Sequence, residues 1–215
     1  MTKKTPVYDR PDVSLIAEGI GPDNVALYIG GAEGARNVDL MAKLNITTVV
    51  NCAVNLDINY VSDPLLAEEG PKCASGPAPV RTYKIGMVDG AGNPEKLILA
   101  GYYILEGALE QTWPDKPSYP RRERGNILVH CRGGRSRSVA VVALYLHQNN
   151  PERYPTLYDA IRDIREKREL RPDEWHETPK PMLTEAALRA SKAIDILNAT
   201  RAEIEAVTYH SALDV

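Results

Sequence analysis

One cysteine in this chain is placed where its sulfur can do chemistry. Cys131 follows the apolar run Ile127-Leu128-Val129 and His130. Five residues, Arg132-Gly133-Gly134-Arg135-Ser136, then separate it from Arg137 and Ser138. A second apolar stretch, Val139 to Leu146, comes next. The pattern predicts a buried strand, a tight loop and a buried helix. Gly133 and Gly134 let the backbone turn sharply and aim its N–H groups inward. Successive inward N–H groups form a nest, and the following helix adds the positive end of its dipole. That field holds an anion, and it also favours the thiolate of Cys131 over the thiol, whose free pKa is about 8.5. Arg137 comes back across the loop, where its planar fork can grip two oxygens of a phosphate. Ser138 can donate its hydroxyl to the sulfur and steady it as a leaving group.

Alternatively, Cys131 is a small apolar residue of the core, the usual fate of a lone free cysteine. That reading gives no job to Arg132, Arg135 and Arg137 beside two glycines. The order His-Cys, five residues, Arg, Ser resembles the signature loop of the cysteine-dependent protein tyrosine phosphatases. With Gly134 and the Ser136-Arg137-Ser138 ending it is most similar to their dual-specificity branch. The stretch from Leu27 to Asn51 resembles the strand, helix and strand that open that catalytic domain. The resemblance spans residues 23 to about 170. It implies an α/β fold with a central, mostly parallel sheet flanked by helices. It also implies a phosphatase working through a cysteinyl-phosphate, with Cys131, Arg137 and Ser138 catalytic. Arg132, Gly133, Gly134, Arg135 and Ser136 then bind the substrate, and His130 shapes the loop.

A phosphate ester also needs a proton for its departing oxygen, which a carboxylic acid supplies for about 10²–10⁴-fold in rate. Asp89 follows the apolar segment Val80–Ile85 and precedes Gly90. By residue chemistry alone it is equally a plain turn aspartate. Its place after a strand and before a helix resembles that of the family's general acid, and the resemblance selects it over Asp63 and Asp115.

The surrounding pattern alternates strands with helices, as α/β chains do. Residues 1–22 read as an irregular arm, 23–170 as the catalytic domain, and 171–215 as a connection and helix packed on it. Strands are predicted at 25–29, 46–50 and 80–85. Asn37 caps a helix through Leu44, and Pro94 opens a helix from Glu95 to Leu109. Thr156 caps another helix, with Arg162, Arg165, Lys167 and Arg168 on its polar face. It is predicted to run until Pro172 stops it. Residues 53–79 and 172–182 read as loops, and 113–125 as a basic, proline-rich insertion whose Arg121, Arg122 and Arg124 lead toward the active strand. The last helix, 184–206, repeats apolar residues at Leu183, Ala187, Ala190, Ile194, Leu197 and Ile204, a face for packing on the domain, with a coiled-coil seam as the alternative. Its approach, Arg171 to Pro179, lacks the Asn-and-aromatic start that the family uses.

Composition bounds the class. The net charge of −3 among 215 residues gives no overall field for nucleic acid. Cys52, Cys73 and Cys131 have neither disulfide nor metal spacing, and a working thiolate suits a reducing, cytoplasmic setting. Cys52 and Cys73 read as free thiols, or as redox partners of Cys131. No apolar run reaches the roughly 18 residues of a membrane span, and the charged N-terminus carries no secretion signal. The expected chemistry needs no cofactor or metal. Without a tyrosine-rich recognition loop, the resemblance implies a shallow pocket for phosphotyrosine and phosphoserine/threonine on proteins. Arg132 and Arg135 support an alternative, a phospholipid or inositol-phosphate substrate, since the loop also resembles that of phosphatidylglycerophosphate phosphatases. A phosphate-binding pseudo-phosphatase and a rhodanese-type sulfurtransferase are the readings from other classes.

Overall fold

The computed structural model describes residues 10–61, 76, 78–94, 96–116 and 123–211, with side chains to residue 201. Among these, five strands form one sheet: β1 (Val13–Ile20), β2 (Val25–Gly30), β3 (Ile46–Ala53), β4 (Arg81–Met87) and β5 (Asn126–His130), in the order β1-β2-β5-β3-β4. Only the β1–β2 pair is antiparallel; β2, β5, β3 and β4 run parallel. The predicted α/β architecture is therefore present. Residues 13–20, read from sequence as irregular, are instead an edge strand. Gly19 and Gly21 sit at positive φ around its turn into β2 and account for the misreading.

A parallel strand covered on both faces must be apolar throughout. All eight residues of β3 are buried, as are the last four of β5. Alternate residues serve opposite sides. Val50, Ile127 and Val129 join the larger core, while Val49 and Leu128 join a smaller one with Ala35 and Met41. The smaller core lies under α1 (Ala32–Arg36) and α2 (Val38–Lys43); α1 had no sequence signal. Asn37 caps α2, its side chain accepting from the Leu40 N–H at 3.0 Å.

The larger core lies under α3 (Leu97–Glu110), α4 (Arg137–Asn149), α5 (Leu157–Lys167) and α6 (Pro181–Ser211). The helix α4 is walled in by α3, α5 and α6, and residues 137 to 146 are buried without interruption. A helix enclosed on all sides needs no polar face, which explains its unbroken apolar run. It begins at Arg137, two residues earlier than predicted, so Arg137 and Ser138 lie in its first turn.

Thr156 and Asp159 form a reciprocal capping box at the start of α5. This helix ends at Lys167, before Pro172, with Glu169 at a φ of 52°. The segment 172–182, read as loop, contains a 3₁₀ turn, Pro172–Glu177, and the first residues of α6. On α6, Leu183, Ala187, Ala190 and Ile194 are buried, and the helix lies against α3 and α4, while Leu197 is exposed.

Candidate active site

Cys131 follows the carboxyl end of β5 directly, where open α/β sheets bind ligands. The loop after it is held from behind by three contacts. The Ala32 N–H at the start of α1 donates to the Arg132 carbonyl at 2.9 Å. Arg10 Nη2 donates to the Gly133 carbonyl at 2.8 Å, and Arg168 Nε to that of Gly134 at 3.1 Å. With three successive carbonyls engaged from outside, the loop amides are free to face the sulfur. Gly134 has a φ of +64°, and a Cβ there would lie 2.5 Å from the Gly30 carbonyl oxygen. Only glycine fits.

The Gly134 N–H donates to Cys131 Sγ at 3.3 Å, and Ser138 Oγ lies 3.4 Å from the same sulfur. Burial alone would push the thiol's pKa up. Arg137, the Ser138 hydroxyl and the N–H groups of Ser138 and Gly134 outweigh it, and the thiol lies below its ordinary value. Cys52, on β3, shows what happens without them. It is fully buried, and its thiol is pushed well above the ordinary range by burial, with the nearby Cys131 adding and Arg137 opposing.

Arg137 is 2% exposed. Its Nη1 donates to the Met87 carbonyl at 3.1 Å and to Asn55 Oδ1 at 3.4 Å. Its buried Nε has no hydrogen-bond partner among the described residues. Asp89 Oδ1 lies 3.9 Å from that nitrogen, too long for a direct bond. A buried donor left in this state is costly, and an anion's oxygen would satisfy it. Asp89 itself is half exposed in the segment after β4. Asn93 folds that segment on itself. Its Oδ1 accepts from the Val88 N–H at 2.8 Å, and its Nδ2 donates to the carbonyls of Val88 and Gly90 at 3.0 Å each.

The sequence-predicted residues Cys131, Arg137, Ser138 and Asp89 thus converge on one point. His130 is buried, with Nδ1 3.3 Å from the Cys131 carbonyl, a local contact. Ser136 is buried too, and its Oγ accepts from the Lys180 N–H at 3.1 Å. Arg135 is paired with Glu174 at 3.2 Å, so one of the two extra loop cations is already partly neutralised. Arg132 is exposed.

Other expectations move. Arg124 does not approach the site. It pairs with Asp23 at 2.7 Å and donates to the carbonyls of Leu109 and Gln111, at the amino ends of the parallel strands. Asp115 follows Trp113, whose ring stacks under Arg81 at the start of β4, again at the edge remote from Cys131. Asp63, Cys73, Arg121 and Arg122 lie outside the described residues. Arg168, assigned to a polar helix face, follows the last residue of α5 and is completely buried beneath the loop, where the start of β1 meets it; it also donates to the Pro11 carbonyl and Ser14 Oγ, each at 2.9 Å. Arg10, Asn55, Asn93 and Lys180 were not foreseen either. The contacts of Arg10, Asn55 and Lys180 join segments far apart in the chain, while those of Asn93 stay within its own turn.

A cysteine-centred anion loop between a parallel strand and a buried helix defines the class of site. No family model matches the chain. Among solved structures it is similar to human DUSP28, with a TM-score of 0.56 and 20% identity over 89% of this chain and 99% of that one. A mouse putative dual specificity phosphatase, in complex with zinc tungstate, has the same score and identity over 93% and 97% of the two chains. The Yvh1 phosphatase domain of Chaetomium thermophilum scores 0.55 at 18% identity over 86% and 96%. The fold is that of the dual-specificity phosphatases.

Proposed function

We propose that this chain is a cysteine-dependent phosphoric monoester hydrolase acting on phosphorylated proteins, at phosphotyrosine and phosphoserine or phosphothreonine. The observation that carries the reading is Cys131 Sγ within 3.4 Å of both the Gly134 N–H and Ser138 Oγ, beside a buried guanidinium whose Nε lacks a hydrogen-bond partner among the described residues. This arrangement supports a thiolate and the oxyanion it would attack.

In the first step the Cys131 thiolate attacks phosphorus in line. The S–P bond forms and the ester P–O bond breaks, while Asp89, as the carboxylic acid, gives its proton to the departing oxygen. Loop N–H groups and Arg137 hold the three equatorial oxygens, where charge is spread in the transition state. In the second step water attacks phosphorus and Asp89, now a carboxylate, takes its proton. The S–P bond breaks, and the Ser138 hydroxyl donates to the departing thiolate.

The phospholipid and inositol-phosphate reading rested on Arg132 and Arg135 as cations for a second phosphate. Glu174 beside Arg135 weakens it. The test is steady-state hydrolysis of phosphotyrosine peptide, phosphoserine peptide and short-chain phosphatidylglycerophosphate by the wild type and Cys131→Ser. The expected result is turnover of both peptides by the wild type and none by the variant, which still binds vanadate. Turnover by Cys131→Ser removes the mechanism; vanadate binding without any turnover by the wild type makes the chain a pseudo-phosphatase.

A further inference from the structure

We propose that Lys180 is a positioning residue for the acid step, holding Asp89 over the phosphate loop. The inference rests on the reading of Asp89 as the general acid. Lys180 touches both halves of the site. Its backbone N–H donates to the hydroxyl of Ser136, inside the loop, at 3.1 Å. Its Nζ donates to the main-chain carbonyl of Asp89 at 2.9 Å. A Cβ placed on Gly90 would lie 4.0 Å from the same Nζ, so the ammonium sits directly against the turn that carries the acid.

The position of this lysine in its helix points the same way. The Lys180 carbonyl accepts from the N–H groups of Leu183 at 3.0 Å and Thr184 at 3.2 Å, so this residue opens α6. A helix start favours Ser, Thr, Asp or Asn, whose side chains accept from the free N–H groups. A lysine accepts nothing there, and its charge opposes the positive end of the helix dipole. The side chain instead spans from the start of α6 to Asp89, a job that a short capping residue cannot reach to do.

The consequence is geometric. Asn93 closes the 88–93 turn on itself, but both of its partners, Val88 and Gly90, belong to that turn. Asn93 fixes the turn's shape and not its distance from Cys131. Among the hydrogen bonds described, that of Lys180 ties the Asp89 backbone to an element that also grips the phosphate loop. A displacement of about 1 Å at a reacting group can cost on the order of a hundredfold in rate, and losing one solvent-exposed tether should cost part of that. An exposed bond of this kind adds little to global stability, so its removal should register in catalysis and not in unfolding.

The experiment compares kcat/KM, which reports the first chemical step and not the second step common to all substrates, for an activated aryl phosphate, whose leaving group needs no proton, with that for phenyl phosphate, whose leaving group does. The proteins are the wild type, Lys180→Met, Lys180→Arg, Asp89→Asn and the Asp89→Asn/Lys180→Met pair, with melting temperature and vanadate affinity as controls. Lys180→Met should lose about tenfold in kcat/KM on phenyl phosphate and less than twofold on the activated ester. Vanadate affinity and melting temperature should be unchanged. Lys180→Arg should recover most of the loss, and the double variant should be no slower than Asp89→Asn. Equal losses on both substrates, no loss on either, or full additivity with Asp89→Asn overturns the role of Lys180. If Asp89→Asn shows no dependence on the leaving group, the acid assignment itself fails. That outcome is distinct from a leaving-group effect in Asp89→Asn with none in Lys180→Met, which overturns Lys180 alone.

Discussion

Arg168 Nε and the Gly134 carbonyl meet across 3.1 Å, joining the end of α5 to the centre of the phosphate loop. The guanidinium is fully buried and also bonds the Pro11 carbonyl and Ser14 Oγ. Burial lowers its pKa to about 10, with Arg10 lowering it further and Cys131 raising it, so it stays charged at neutral pH. It is therefore a fixed cation behind the loop as well as a brace. Arg168→Met keeps much of the volume and strands two buried acceptors and a part-buried one. Each unsatisfied group costs about 1–3 kcal/mol, so urea unfolding should show a loss of about 3 kcal/mol or more. The thiol of Cys131 should also ionise at a higher pH, read from the pH dependence of its alkylation. Unchanged stability and alkylation would show that the brace is dispensable.

The two described cysteines should differ sharply in reactivity. Cys131 lies below the ordinary thiol pKa despite its burial, because Arg137, Ser138 and two N–H groups favour the anion. Cys52 is held well above it, chiefly by burial. The thiolate is the nucleophile, so the group with the lowered value reacts at neutral pH and loses reactivity as pH falls through that value. Iodoacetamide at pH 7 should modify Cys131 and leave Cys52 untouched, as peptide mass mapping will show. Vanadate should protect Cys131. Ser138→Ala removes one donor to the sulfur, so it should raise the pH at which alkylation starts. It should also slow the second chemical step about tenfold or more, visible as a larger pre-steady-state burst of leaving group than the wild type gives. Without a larger burst or a shift, Ser138 has no such role.

What the sequence made legible was local. The loop from His130 to Ser138 declares itself because residue type, spacing and the flanking apolar runs all fall between residues 127 and 146. Asn37 and Thr156 announce their helices for the same reason, each accepting a bond three residues away. Asp89 was legible only through its place between a strand and a helix. The brace behind the loop was not legible at all. Arg10 and Arg168 reach it from 123 and 34 residues away, and nothing near either arginine marks it as buried. Residues 13–20 hid because their alternation is weak and broken by glycine. Arg168 was misassigned because its covering strand was that same hidden β1.

Gly134 tests the loop's shape directly. Its positive φ disfavours any side chain by about 1–2 kcal/mol. The added Cβ of Gly134→Ala would also lie 2.5 Å from the Gly30 oxygen and 2.9 Å from Arg168 Nη2. The Gly30 oxygen belongs to β2 and cannot rotate away, so the loop must shift. The N–H that faces Cys131 shifts with it. The expected outcome is a fall in kcat of about a hundredfold, weaker vanadate binding and a lower melting temperature. Gly133→Ala makes a useful comparison. Its nearest atom is Arg10 Nη2 at 3.3 Å, the end of a flexible side chain, and its effect should be small. Equal effects at the two glycines would show that the loop tolerates displacement.

His130 gives the fold a pH dependence that is separate from catalysis. Burial holds its pKa down to about 4 against an ordinary 6.5, with the Cys131 carbonyl opposing and Arg137 assisting. Between those values the unfolded chain binds a proton that the folded chain refuses. Stability therefore falls as pH drops from about 6.5 to 4 and is retained above 6.5. At 1.36 kcal/mol per pH unit the whole effect is about 3 kcal/mol. The measurement is urea unfolding at pH 7.5, 6, 5 and 4.5 for the wild type and His130→Asn. The variant is expected to start less stable, because it disturbs a buried contact. Its stability should nevertheless decline less steeply with acid, so the two curves converge as pH falls. Parallel curves would mean that His130 takes up its proton as readily in the folded chain as in the unfolded one, and that its burial carries no pH dependence.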